Sequence, residues 1–172
     1  METERLILRH YEPQDLMPLH ELLSNKENMY YLNDITTETL DETKENLAYV
    51  MANADGEYFC MIEKQTGEFV GSVGYTITDE TPLGRIGHMG FFILPRFQGK
   101  GYTAEGAKEV LTYAFAKGGC IRVTTGCFAD NVPSQKVIGK LGFVKEAYRF
   151  KAAYHDGEMK DRVEYGLNKE GL

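Results

Sequence analysis

The sequence predicts a mixed α/β sheet with helices on both faces, built in the order βααβββαβαββ. Three observations predict it. Arg85 to Leu94 is apolar on both faces, the pattern of a central strand. Pro95 and the stretch Arg96-Phe97-Gln98-Gly99-Lys100-Gly101-Tyr102-Thr103-Ala104-Glu105 carry that strand straight into a helix, where Ala107, Val110, Leu111 and Ala114 recur at i, i+3, i+4 and i+7. Two amphipathic helices lie before this junction, and two long strands close the chain.

Arg5 to Arg9 reads as a short first strand. Pro13 stands where a helix can start, and Leu16, Leu19, Leu22 and Leu23 give that helix its apolar stripe. Thr39-x-x-Glu42 is a capping box for a second helix, with Leu47, Val50, Met51 and Ala54 on one face and Asp55-Gly56 as its stop. Tyr58 to Glu63 and Glu68 to Ile77 form a hairpin hinged at Gln65-Thr66-Gly67, and Asp79 to Gly84 is a polar loop. The helix after the glycine turn runs to about Lys117, where Gly118-Gly119 end it. Cys120 to Phe128 is the next strand. Asp130 or Asn131 caps a short helix that buries Val137, Ile138 and Leu141 and stops at Gly142. Val144 to Tyr154 and Met159 to Leu167 then flank His155-Asp156-Gly157-Glu158 in a final hairpin.

The 172 residues suffice for one domain, 1–172, with a substantial core. Met1-Glu2-Thr3-Glu4-Arg5 shows no basic n-region, and no apolar run approaches the roughly 20 residues of a membrane span. Cys60, Cys120 and Cys127 have neither the even count of a disulfide framework nor a metal-ligand spacing, so they read as buried, reduced thiols of a cytoplasmic protein without a metal. A net charge of −7 argues against nucleic acid as a partner. That charge is uneven, with 5 Lys/Arg against 15 Asp/Glu in residues 1–70 and 14 against 11 in residues 71–172. The basic part suits a polyanion; the acidic part either attracts a cationic amine or is a solvated helical surface.

A strand, a glycine turn and a helix start present backbone N–H groups at a positive dipole end, which holds a phosphate or pyrophosphate. Gly99 and Gly101 let a ligand come close to the backbone and open φ > 0. The spacing is not that of a P-loop, since Lys100 lies between the glycines, nor of a Rossmann fingerprint, which needs three of them. Arg96-x-x-Gly99-x-Gly101 instead resembles the acetyl-CoA pyrophosphate loop of the GNAT superfamily of N-acetyltransferases. Asp130-Asn131-Val132-Pro133-Ser134 and Lys140-Leu141-Gly142-Phe143 follow at that family's spacing. The resemblance covers nearly the whole chain and is closest to the RimJ/RimL-like branch, which acetylates protein N-termini. It implies the GNAT fold, a largely antiparallel sheet whose fourth and fifth strands are parallel and splayed.

The same resemblance implies acetyl-CoA as co-substrate, its pantetheine arm pairing with the end of the Phe91–Leu94 strand. Phe92, Ile93 and Leu94 would supply those contacts and an oxyanion N–H. Gln98, Gly99, Lys100, Gly101, Tyr102 and Thr103 would bind the pyrophosphate, and Asn131 the pantetheine arm. Two departures from the family matter. Many GNAT enzymes carry a tyrosine general acid where this chain has Ile138, whereas the RimJ/RimL-like branch has a serine three residues after the asparagine, here Ser134. Ser134 either donates to the thioester sulfur or bonds its own helix end. The branch commonly has a glutamate on strand four, two residues before a glycine, and here His88 precedes Gly90. A histidine pKa of about 6.5 suits a general base, and the alternative is a core histidine bonded to a carbonyl. His10, His20 and His155 read as surface residues. Asp161 reads as an acid in a structural ion pair or against the acceptor amine, and Tyr30 and Tyr31 as pocket wall or packing.

Amide formation from a thioester needs an unprotonated amine, a donor for the oxyanion and two substrates held in line. The expectation is an acetyl-CoA-dependent N-acetyltransferase acting on a primary amine, either a protein or peptide N-terminus or a small cationic amine, by direct attack in a ternary complex. A CoA-binding or sensing domain without turnover and an acyltransferase for a longer acyl chain are the alternatives, and a homodimer is left open.

Overall fold

The computed structural model describes residues 1–32 and 35–171. Within them β1 (Leu6–His10), β2 (Gly56–Glu63), β3 (Phe69–Thr81), β4 (Gly84–Ile93), β5 (Cys120–Phe128), β6 (Val144–His155) and β7 (Glu158–Asn168) form one sheet in the order β1-β2-β3-β4-β5-β7-β6. The helices are α1 (Leu16–Ser24), α2 (Leu40–Ala52), α3 (Tyr102–Ala116) and α4 (Val132–Lys140). Only β4 and β5 pair in parallel; every other neighbouring pair is antiparallel. This is the architecture the GNAT resemblance implies.

Alternation along the strands sorts the two faces. Phe59 and Met61 of β2 turn toward α3, Phe59 meeting the Tyr113 ring with centroids 5.5 Å apart. Tyr58 and Cys60 turn the other way, toward α1, α2 and the Pro13–Asp15 turn that leads into α1. The capping box of α2 forms as read, with Glu42 N donating to Thr39 Oγ1 and Thr39 N to the Glu42 carboxylate, both at 3.2 Å.

Several readings need correction. The Asp79–Gly84 loop is mostly strand: Asp79 pairs with Ile86, Glu80 with Arg85 and Thr81 with Gly84, leaving Pro82 and Leu83 as the turn. A register shift after Ile77 lets the ladder continue, and its solvent-facing acids disguised it. His155 is not a surface residue but 5% exposed, packed on Tyr30, Tyr31 and Phe128 with ring centroids 4.6, 6.0 and 4.8 Å away. Tyr30 and Tyr31 therefore pack, and the Tyr30 hydroxyl donates to Asp156 at 3.0 Å, fastening the segment after α1 to the hairpin tip. Among the described residues Asp161 forms no ion pair; it accepts from Lys151 N and the Tyr148 hydroxyl, both at 2.7 Å. Those bonds hold its carboxyl below the ordinary range and brace a bulge where Lys151 has φ 46° and β6 skips from Arg149 to Ala153 against β7. His20 is half-buried with Nδ1 2.7 Å from Thr43 Oγ1, while His10 stacks on Phe59 and meets Glu57 at 2.7 Å.

The feature that positions the site is the end of the β4–β5 ladder. These strands pair as Arg85↔Cys120, Ile86↔Arg122, Gly87↔Val123 and His88↔Thr124, and then part. Beyond that point β4 stays with β3 as far as Ile93, and β5 stays with β7 as far as Phe128. At the apex, side chains replace the ladder: Thr124 Oγ1 donates to Gly87 O at 3.2 Å and Thr125 Oγ1 to Met89 O at 3.0 Å. Thr125 is buried, so the near-isosteric Thr125→Val would leave the Met89 carbonyl without its donor. It should lower unfolding stability by about 1–3 kcal/mol. Urea unfolding with an unchanged slope would read this, and a loss within error would mean the carbonyl finds another donor.

Candidate active site

Past β4, Pro95–Phe97 makes a single 3-10 turn, and Gly99 (φ 73°) and Gly101 (φ 86°) then take left-handed conformations that side chains resist. The first bond of α3 runs from Glu105 N to Gly101 O at 3.1 Å. The N–H groups of Tyr102, Thr103 and Ala104 come before it, where no helix carbonyl can reach them. Tyr102 and Thr103 are both buried residues at the helix start. A Cβ at Gly99 would meet nothing within 4 Å, and one at Gly101 only Arg5 Nη2 at 3.4 Å.

Arg5 fixes this turn. It donates to Lys100 O at 2.9 Å, pairs with Glu105 at 2.6 Å and lies 4.3 Å over the Tyr102 ring. Glu105 sits in the first turn of the helix, where its charge would oppose a phosphate. Thr3 Oγ1, Arg5 N and Arg5 Nε all donate to its carboxylate, and these bonds outweigh burial and keep it ionised below the usual range. Lys100 Nζ lies 5.4 Å over the Phe97 ring, and Gln98 Nε2 donates to Asn28 Oδ1 at 2.7 Å.

Along β4 the open groups are not quite the expected ones. Leu94 N donates to Val70 O of the neighbouring chain segment at 2.9 Å, so it is engaged, and the period of two turns the N–H of Phe92 the same way. Met89 O and Ile93 O face the cleft, accepting from Thr125 Oγ1 and, at 3.1 Å, from Asn28 Nδ2. The backbone edge presented to the cleft therefore belongs to Phe91 and Ile93. Phe92 and Leu94, expected to supply contacts from this edge, instead turn their backbone toward β3, and Ile93 lies on the edge. A bare glycine turn, free N–H groups at a helix start and an unpaired strand edge together fit a pyrophosphate joined to an extended amide chain, the form of acetyl-CoA.

His88 stands at the apex. Its Nδ1 is 3.0 Å from Thr124 Oγ1. Because the threonine hydroxyl donates to Gly87 O, it accepts from the histidine, which puts the proton on Nδ1 and leaves the Nε2 lone pair available. Burial pushes this imidazole below the ordinary histidine pKa; Glu164 acts against the shift and Arg162 with it. His88, Gly90 and Phe92 line one wall of a cavity of about 260 Å³ between the sheet and the α1–α2 layer.

Across the cleft, Asn131 rather than Asp130 caps α4, its Oδ1 accepting from Ser134 N at 3.2 Å. Its Nδ2 remains as a donor. Asp130 pairs with Lys160 at 2.7 Å. Ser134 reaches the buried Cys127 thiol, whose pKa is raised by burial and eased by that contact. Ile138, in place of the family's tyrosine, is fully buried. Among the described residues no group of three or more His, Cys, Asp or Glu is placed to hold a metal.

Arg5, Asn28, Thr124 and Thr125 were not anticipated. They lie 95, 70, 36 and 36 residues from the partners they hold, and no local pattern marks them.

Comparison with known proteins bears on the family and the fold. The family model described as an acetyltransferase (GNAT) domain matches residues 5–144. The uncharacterized N-acetyltransferase YoaA of Bacillus subtilis is 26% identical over 172 residues, which cover 98% of this chain and 96% of YoaA. Spermidine N-acetyltransferase from Vibrio cholerae, solved with CoA and spermine, superposes with a TM-score of 0.86 at 21% identity and 98% coverage of each chain. The ribosomal-protein-S5-alanine acetyltransferase from Vibrio fischeri gives 0.86 at 21% identity, covering 99% of this chain and 96% of its own. At such identity the two structures speak for the fold.

Gly101→Val tests the turn. Saturating acetyl-CoA, at about 100 times Kd, should stabilise the wild type by about 2.7 kcal/mol, a shift of several degrees. The variant should fold yet show little of that shift, and an undiminished shift would remove the pyrophosphate from this backbone.

Proposed function

This chain belongs to the GNAT acetyltransferase family, and from that premise we propose that it moves an acetyl group from acetyl-CoA to a primary amine by direct attack, with both substrates held at once. The observation that carries the reading is the parting of β4 and β5 at a histidine whose free nitrogen and open strand edge adjoin one another. Acetyl-CoA, when bound, supplies an acyl group already activated as a thioester. The start of α3 and the Gly99–Gly101 turn would hold its pyrophosphate, and the Phe91–Ile93 edge and Asn131 Nδ2 its amides. A cleft-facing N–H of that edge is the donor for negative charge building on the thioester oxygen.

An alkyl ammonium is no nucleophile, so one proton must leave the amine. His88 Nε2 is the acceptor we assign, directly or through a water, with Thr124 holding its tautomer. Because burial keeps the ring neutral below its ordinary pKa, the base stays competent at neutral pH. Ser134 is the hydroxyl available to the departing sulfur, although a thiol pKa near 8.5 makes that thiolate a fair leaving group unaided. Proteins of the same fold act on spermidine and on a ribosomal-protein alanine, which agrees with an amine acceptor. The free, buried cysteines suit a reducing compartment, and we place the enzyme in the cytoplasm; no described helix is long and apolar enough to cross a membrane.

The pH profile tests the base. A lowered His88 pKa means the base loses its proton early, so kcat/KM should rise with pH through an apparent pKa below about 6.5, with a second, higher limb from the amine. His88→Gln should cost on the order of 10²–10⁴ in rate and abolish the lower limb, and His88→Glu should recover part of it. Full activity and an unchanged profile in His88→Gln would make His88 a core residue.

Ser134→Ala should lower kcat and leave acetyl-CoA affinity nearly unchanged. Lost affinity with normal turnover would assign Ser134 to binding.

A further inference from the structure

We propose that the cavity beside His88 selects a primary amine carried on an uncharged, largely apolar body, and that Gly90 sets how bulky that body can be. This rests on the acceptor-amine reading above, since it takes the cavity as the place where the acceptor lies.

The cavity follows β3 and β4. At one end Thr76 pairs with His88, in the middle Gly74 with Gly90, and at the other end Ser72 with Phe92. Four strand residues separate the ends, roughly 13 Å. An amine beside His88 thus has room to send its body along the strands toward Phe92. The walls over that path are Leu19 and Leu23 of α1, Val50 of α2, and Ile35. Its polar atoms are hydroxyls, one amide and the His88 ring, and among the described residues no carboxylate or ammonium lines it. Asp55, behind Tyr49 and Tyr58, accepts both their hydroxyls and is thereby engaged.

An acceptor with further ammonium groups would have to strip them of water here with no anion among the described lining residues to meet them, an unfavourable transfer. An aromatic or branched aliphatic body meets no such penalty. At the Phe92 end the buried Tyr11 hydroxyl lies against the Ser72 side chain, a neutral polar pair that ends the apolar path.

Gly90 differs from its partner Gly74. A Cβ on Gly74 would lie 2.5 Å from Glu57 O, so the packed backbone demands glycine there. A Cβ on Gly90 would meet only Phe92 Cζ, at an ordinary 3.6 Å, and Gly90 is not among the residues with positive φ. Nothing in the backbone requires glycine at 90. What its missing side chain leaves is volume, beside the histidine and within the cavity.

The test compares kcat/KM at saturating acetyl-CoA for phenethylamine, a peptide beginning with Phe, a peptide beginning with Ala, and spermidine. The two Phe-like acceptors distinguish a free amine from an N-terminus, and preference for either supports the proposal. The better of them should exceed the Ala peptide by 10-fold or more, within the 10–200-fold range that apolar pocket contacts give, with spermidine slowest. Gly90→Val should keep the acetyl-CoA thermal shift while its Phe-to-Ala ratio falls toward one. Faster turnover of spermidine, or an unchanged ratio in Gly90→Val, overturns the proposal. Butyryl- or hexanoyl-CoA outpacing acetyl-CoA, with the advantage lost in Gly90→Val, also overturns it, because the cavity would then hold an acyl chain. If the wild type acetylates no amine, the transfer reading fails separately. Calorimetric titration of the Phe peptide into the CoA-bound protein still decides the cavity, with at least 10-fold weaker binding expected for Gly90→Val and equal affinity overturning it.

Discussion

Two threonine hydroxyls close the gap between β4 and β5 at the point where their backbones stop pairing. A parallel ladder that simply ended inside a protein would leave carbonyls and N–H groups without partners, at a cost of about 1–3 kcal/mol for each buried one. Thr124 and Thr125 satisfy Gly87 O and Met89 O at the apex, and the next groups along β4 are left facing a cleft that a ligand can fill. The sheet is thus split without being weakened at the split. β3 on one side and β7 on the other keep each arm straight by antiparallel pairing. The glycine turn and α3 can then begin directly from the end of one arm, and α4 from the end of the other.

The electrostatics divide along the same line. On the cofactor side, positive potential comes from backbone dipoles, and the acid that would oppose it, Glu105, is turned inward by Thr3 and Arg5. On the other side the described residues that line the cavity are neutral, although residues 1–70 carry most of the acidic excess. None of the described acids of that segment lines the cavity. In α2 Glu42 serves the capping box and Asp41 pairs with Lys44, and Asp55 holds two tyrosines. An acidic sequence segment is therefore no guide to what its concave surface binds.

How much of this could be read in the sequence follows from the range of the forces involved. The order of elements was legible because period-two and period-3.6 patterns and the glycine stops act within a few residues. The Gly99–Gly101 turn and the Asn131 cap were legible for the same reason. The parallel, splayed pairing of β4 and β5 was legible only through resemblance to a family, since nothing within either strand states its partner. Asp79–Thr81 was missed because solvent-facing acids on a strand look like a loop. His155 was missed because the rings that bury it come from residues 30, 31 and 128. The shift from Phe92 and Leu94 to Phe91 and Ile93 depends on which edge of β4 meets β3, a fact of register that composition does not carry.

Register also explains why one segment borders both the open strand edge and the cavity. Residues 25–32 leave α1 and pass between the cleft and the cavity. Asn28 donates to Ile93 O and accepts from Gln98, which ties the segment to the open strand edge and to the glycine turn. Tyr30 and Tyr31 tie it to His155 and Asp156 at the tip of the β6–β7 hairpin. Leu23 just before the segment and Ile35 just after it stand in the cavity wall. The amide of Asn28 already gives the β4 edge the bond that an amide of an extended ligand would give it. The two flanks of that same segment border the cavity beside His88. The open strand edge and the cavity wall are thus joined through a short stretch of chain as well as through His88.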